Sequence, residues 1–311
     1  MTEWKATGKK GRQKAAQRKK AAQVSSAQAR RGADGKLHLV LHPVAGADPY
    51  VTLAAPLFEE QWQNDVATSA ANTALTALRA GVEKGAVVEL AREAMRATSK
   101  LADGFLERGA NGQVACKAGC DHCCHQSVGV TPAEGLAIVE HLLRTRSAEA
   151  LAQVKERVAT ARVRTRGLTA EQRYSPDHPC PFLVDSACSI YEVRPLSCRG
   201  MNALDAEECK TQLRDPLARA EFIKNGGGGH SFMEPIRAFH AISAGIQLGL
   251  SELYHLDMRP LDLAAAVDEL LSGAASLTDD WLAGKPALAA AHGGDSTNNP
   301  HGQHLSGRSE A

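Results

Sequence analysis

The sequence predicts a mainly α protein, a helical domain with a small β-hairpin and irregular loops gathered around a cysteine-ligated site. Three observations predict it. Alanine and leucine recur throughout, while aromatics make up only 4% of the 311 residues, a composition that favours close-packed helices over a broad sheet. Strand-like alternation is brief, whereas apolar residues at helical spacing run through long stretches on both sides of the centre. All eight cysteines fall between Cys116 and Cys209, and "CKAGCDHCCH" at Cys116–His125 sets four of them beside two histidines. With 43% hydrophobic residues, the chain can bury a sizeable core without a metal to make it compact.

In chain order, residues 1–35 read as a basic disordered tail. Residues 36–110 read as a small hairpin plus a helical scaffold. Within them "GKLHLVLHP" sets Leu37, Leu39 and Leu41 against His38, Val40 and His42, a strand pattern, with "PYVTLAAP" as its partner across "VAGAD". From Trp62 to about Arg108 helical spacing is broken near Gly81 and Gly85, which predicts two helices in a hairpin. Residues 111–212 are the cysteine-cluster domain. There Thr131 is placed to cap a helix, Pro132 suits its first position and Glu134 completes a capping box, with helix expected to about Thr165. This puts Cys116–His125 on a loop feeding a helix N-terminus, where free NH groups favour thiolate. "PFLV" and "CSIY" around "DSA" predict a tight ribbon flanked by Cys180 and Cys188, and "YEVRPLSC" turns into a helical segment carrying Cys198. Residues 213–285 read as a helical C-terminal part, with a flexible joint at Gly226–Gly229 and helices at about 232–250 and 261–271; residues 286–311, with His301 and His304, read as a second disordered tail.

The formal charge of +1 is unevenly spread, because residues 1–31 carry ten Lys/Arg against the single Glu3, leaving 26 basic and 34 acidic residues elsewhere. The block "KKGRQKAAQRKK" could make weak contact with nucleic acid, although aromatics and a defined recognition motif are missing from it. No stretch approaches the roughly 18 apolar residues of a membrane span, and the basic start is not followed by the apolar core of a secretory signal. The expectation is a cytoplasmic protein, in a compartment that disfavours stable disulfides.

Thiolates are soft ligands for zinc, copper(I) and iron–sulfur clusters, and eight of them match two four-thiolate sites or one multinuclear centre. The adjacent Cys123 and Cys124 have Cα atoms only about 3.8 Å apart, with side chains pointing to opposite sides in an extended chain. One single-metal site does not easily take both; the pair suits two metals, a bridge within a cluster, or one thiol left for exchange. Lys117, Arg194 and Arg199 are candidates to offset thiolate charge, and His122, His125 and His178 could supply nitrogen. The spacing Cys116-x3-Cys120-x2-Cys123 coincides with the radical-SAM pattern, but that chemistry needs a βα barrel, against the helices expected here. A dithiol redox role for Cys123–Cys124, or a nucleophilic cysteine paired with His125, leaves the other thiols unexplained.

"CKAGCDHCC", the following "VTPAEG" and then "CPFLVDSACSIYEVRPLSCRGMN" resemble the YkgJ-like cysteine-cluster (CxxCxxCC) family of zinc- or iron-chelating domains, over about residues 112–210. The resemblance implies metal ligation by Cys116, Cys120, Cys123, Cys124, Cys180, Cys188 and Cys198, with Cys209 a looser match. The implied cofactor is zinc or iron, with a [4Fe–4S] cluster among the forms. Flagellin lysine N-methylases belong to the same family, so the resemblance also admits an iron–sulfur-dependent modification enzyme. The expected function is therefore metal binding, with that enzyme as one alternative and a zinc-stabilised module docking nucleic acid through the basic tail as another.

Overall fold

The computed structural model describes residues 38–109, 114–225, 231–286 and 288. The predicted N-terminal tail, Leu37, the Gly226–Gly229 joint and the His301 and His304 pair lie outside the described residues, as does the predicted C-terminal tail apart from Pro286 and Leu288, the latter buried against the core. The protein is mainly helical, with only two-stranded antiparallel sheets among the described residues. Strands β1 (Leu39–His42) and β2 (Tyr50–Leu53) form the expected hairpin, with Leu39 opposite Leu53 and His42 opposite Tyr50. Helices α1 (Gln61–Ala77) and α2 (Lys84–Gly109) follow, with Gly81 between them at a φ of 143° that side chains rarely adopt.

The scaffold rests on α9 (Met233–Leu248), which packs on both α1 and α2. Its contact with α1 is a seam of small residues. A Cβ at Gly245 would stand 2.1 Å from the Ala67 carbonyl oxygen, and one at Gly249 would stand 2.8 Å from the Ala74 Cβ. Alanine richness thus becomes backbone proximity, and close approach is what brings dispersion contacts into range. Beyond α9 a π-turn at Gly249–Leu253 buries Glu252, whose carboxylate accepts from the Leu39 backbone N–H at 3.1 Å and meets His38 Nδ1 at 2.7 Å. The first hairpin is thereby tied to the end of the helical layer.

The expected Thr131 cap is formed. Helix α3 (Pro132–Thr145) starts at Thr131 with Pro132 in the first turn and both halves of the capping box made with Glu134. The single stretch expected to Thr165 is two helices, because Ser147 caps a new one, α4 (Ala148–Thr165), accepting from the Ala150 N–H at 3.2 Å. Short α5 (Ala170–Arg173) leads into the second cysteine segment. Near the C-terminus, α10 (Leu263–Leu282) runs well past the expected end near Leu271, kinked at Gly273. Its extension is held by Trp281, which is fully buried and donates its indole N–H to the Asp257 carbonyl at 2.7 Å. Helix α10 packs on α3 and α4, and one contiguous apolar core runs from α1 through α10. No helix among the described residues is long and apolar enough to cross a membrane.

Candidate metal centre

Four short elements carry the cysteines, and each is shaped by its local sequence. Cys116 and Cys120 bracket a turn closed by Cys120 N–H donating to the Lys117 carbonyl at 3.0 Å, with Gly119 supplying the φ of 86°. Cys123 and Cys124 sit in a 3₁₀ turn at His122–His125, not in the extended chain assumed from sequence. Successive side chains then diverge by roughly 120° instead of opposing one another. Their two thiols lie close enough to hydrogen-bond.

Strands β4 (Leu183–Val184) and β5 (Ala187–Cys188) form the predicted ribbon, with Cys188 opposite Leu183 and the Leu183 N–H donating to the Cys180 carbonyl at 2.9 Å. Asp185 and Ser186 both hold positive φ, as a two-residue hairpin turn of this hand requires. Cys198 lies on α6 (Leu196–Gly200), and Cys209 on α7 (Ala206–Arg214), which packs against the 3₁₀ turn.

The early and late segments meet. Cys180 N–H donates to the Cys124 carbonyl at 2.7 Å, and the Ser186 hydroxyl donates to Asp121 Oδ2 at 2.9 Å. Ala115 N–H reaches the Ala203 carbonyl at 2.8 Å, while the Ala203 N–H points at Cys116 Sγ at 3.2 Å. Behind them Glu134, fully buried, extends its cap role: one oxygen accepts from Thr131, the other from the Leu196 N–H at 2.8 Å, fixing the start of α6. Cys209 is fixed through its carbonyl, which accepts from the Tyr174 hydroxyl at 3.2 Å. Arg219, on α8 (Pro216–Lys224), in turn donates to the Tyr174 carbonyl at 2.5 Å and stacks its guanidinium over that ring.

All eight cysteines are free thiols; Cys116 and Cys123 are exposed and the other six partly buried. Burial pushes the thiols of Cys180 and Cys198 up to about 12 and that of Cys209 to about 11, and raises Cys116 and Cys188. Cys123 is raised chiefly by its contact with Cys124, then by burial, with the Arg194 charge opposing. Such thiols keep their protons until a cation replaces them.

The charged and basic neighbours sort into distinct roles. Arg194 stacks its guanidinium over the Tyr191 ring, lies within electrostatic reach of Cys123, Cys188 and Cys198, and has a buried Nε without a hydrogen-bond partner. Arg199 also acts on Cys188, but its donors go to the carbonyls of Arg194 and Glu192 and to the Ser99 hydroxyl. Lys117 is exposed in the turn before Cys120. His125 turns Nδ1 to the Ser175 carbonyl at 3.1 Å, so that nitrogen carries the proton. His122 Nδ1 sits 3.6 Å from Asp121 Oδ1, while His178 Nδ1 is buried without a partner.

Orphaned donors beside a set of thiols fit a group that brings negative charge when the thiols ionise, and soft sulfur donors fit zinc or iron. Among the described residues, no three His, Cys, Asp or Glu side chains are already gathered in a geometry that could hold a metal ion. Neutral thiols have no force drawing them to the roughly 2.3 Å bonds of a tetrahedral thiolate site. The sulfurs are grouped but not closed.

Residues 115–215 match the CxxCxxCC family. Its description reads "Putative zinc- or iron-chelating domain", and the matched span includes all eight cysteines. In this chain three residues, not two, separate the first pair, and the Gly119 turn accommodates the longer interval. No curated protein and no solved structure matches the chain. Sequence reasoning missed Tyr174 and Arg219, whose roles depend on contacts across long intervals. It also missed the second contact of Glu134, although the capping box had already singled that residue out.

Proposed function

We propose that this protein binds zinc or iron in a reducing, cytoplasmic setting, with the thiols of Cys116, Cys120, Cys123, Cys124, Cys180, Cys188, Cys198 and Cys209 as the ligand set. The observation that carries this reading is the direct Cys180-to-Cys124 backbone hydrogen bond, which joins the two sulfur-bearing segments inside the matched domain. When bound, the ion supplies a fixed positive charge that exchanges for thiol protons. The chain's own residues do the rest. The Lys117–Cys120 turn, the 3₁₀ turn and the β4–β5 ribbon present sulfur, α6 and α7 bring Cys198 and Cys209 in from the far side, and Arg194 offsets the thiolate charge. All eight thiols being free suits a compartment that keeps cysteine reduced.

Elemental analysis of full-length protein purified without oxygen tests the reading. Stoichiometric zinc or iron, removed by a chelator, is expected; protein that carries no metal and takes up neither ion would overturn it. Acid-labile sulfide and absorption near roughly 400 nm would assign an iron–sulfur form, and colourless zinc protein a closed thiolate form.

A further inference from the structure

We infer that the eight thiols form two adjoining nests, each completed by one sulfur of the Cys123–Cys124 step, so that the chain takes two thiophilic divalent cations side by side. This rests on the chelation reading above and deepens it. The first nest is Cys116, Cys120 and Cys209. The sulfurs of Cys116 and Cys120 lie within hydrogen-bonding contact, Cys209 is within electrostatic reach of both, and the Ala115–Ala203 bond with the Ala203 N–H on Cys116 Sγ fixes the approach to α7. The second nest is Cys180, Cys188 and Cys198. The ribbon register sets Cys188 opposite Leu183, whose N–H donates to the Cys180 carbonyl at 2.9 Å, and α6, pinned at Leu196 by Glu134, brings Cys198 within electrostatic reach of both cysteines.

The vicinal pair is the wall between them. Cys124 accepts the Cys180 N–H on the ribbon side, and α7 with Cys209 packs on the same 3₁₀ turn. Cys123 is within electrostatic reach of Cys116 and Cys209 on one side and of Cys188 and Cys198 on the other. A 3₁₀ turn directs neighbouring side chains roughly 120° apart, which lets two adjacent sulfurs serve two ions where an extended chain would throw one away from the site. Three sulfurs in each nest and one from the wall make four for each tetrahedral ion, with none left over. One four-thiolate ion would leave half the cluster idle. Arg194, within electrostatic reach of Cys123, Cys188 and Cys198 and with a buried Nε that has no hydrogen-bond partner, offsets part of the charge of two such sites.

The test is a Co²⁺ titration of the reduced, chelator-stripped full-length protein, followed by Zn²⁺ displacement and native mass spectrometry. Sulfur-to-cobalt absorption saturating at two equivalents, and two zinc ions per chain, are expected. A Cys116→Ser/Cys209→Ser variant and a Cys188→Ser/Cys198→Ser variant should each retain one equivalent, with helix content checked by circular dichroism, while Cys123→Ser and Cys124→Ser should each weaken one of the two steps. Saturation of the unaltered protein at one equivalent, or a single cluster carrying acid-labile sulfide, would overturn the two nests and leave chelation standing. Complete loss of metal from either well-folded double variant would do the same. An unaltered protein that binds neither cobalt nor zinc would remove both readings together.

Discussion

The α1–α9 seam and the cysteine cluster are held by opposite means. The seam is made chiefly of backbone against backbone, with Gly245 and Gly249 pressed onto Ala67, Ala71 and Ala74, and the buried Gln63 adds one hydrogen bond across it to the Arg237 carbonyl at 3.4 Å. The cluster has two-residue strands, short helical turns and mostly half-buried thiols, and it is aligned by hydrogen bonds joining residues far apart in sequence. Apolar burial scales with area and needs no partner, whereas each buried polar bond costs desolvation if one member is lost. The cluster still sends Phe182, Ile190, Val193 and Leu196 into the common core, so its long-range hydrogen bonds set the fine alignment of segments that packing already anchors.

That contrast can be broken from the scaffold side with the largest effect. Gly245→Val drives two methyl groups into the Ala67 carbonyl, and a loss of about 3 kcal/mol or more in urea-measured stability is expected. Glu134→Ala, at the boundary between the regions, removes the cap of α3 and the anchor of α6 together; about 2 kcal/mol is expected from the cap and the stranded Leu196 N–H. Glu134→Gln keeps an acceptor and should lose less. Burial raises the Glu134 carboxyl, so its folded form holds a proton more tightly than the unfolded chain does. Its contribution to stability accordingly falls as pH rises from the ordinary carboxylate range through the raised value, and the Gln variant should flatten that slope.

Chelation sharpens the comparison from the other side. Removing metal should speed amide exchange at Cys116–His125 and Cys180–Cys198 while leaving Ala67–Ala74 and Ile242–Leu248 protected, which hydrogen exchange read by mass spectrometry would show. Acidification should release metal in parallel, because protons compete with the ion for sulfurs whose thiols burial has made harder to ionise, so apparent affinity climbs with pH, as titration at several pH values would show. The smallest effect is expected at Gly119→Ala. Its φ of 86° strains any side chain, costing about 1 kcal/mol, and the loss should appear in metal retention more than in overall helicity.

Features encoded within a few residues were legible in the sequence. The β1–β2 alternation, the Thr131–Glu134 cap and the ribbon around Asp185–Ser186 all appear where local pattern put them. Features that depend on distant partners were not. Gly245 reads as an ordinary helix residue until Ala67 lies against it, and the β3 (Gly129–Val130) pairing with β6 (Leu261–Asp262) is too short to leave a periodic trace. The Cys123–Cys124 step was read on an extended backbone, whereas local compaction into a 3₁₀ turn sets the two side chains roughly 120° apart. Thus the donor types were readable from the chain, but their grouping was not.

The Cys180 N–H on the Cys124 carbonyl has one more consequence. Helix packing and this bond already close the long interval between the two halves of the cluster, so an arriving ion need not supply the loop-closure entropy itself. The proposed chelation would then draw thiols together across an interval that is already spanned.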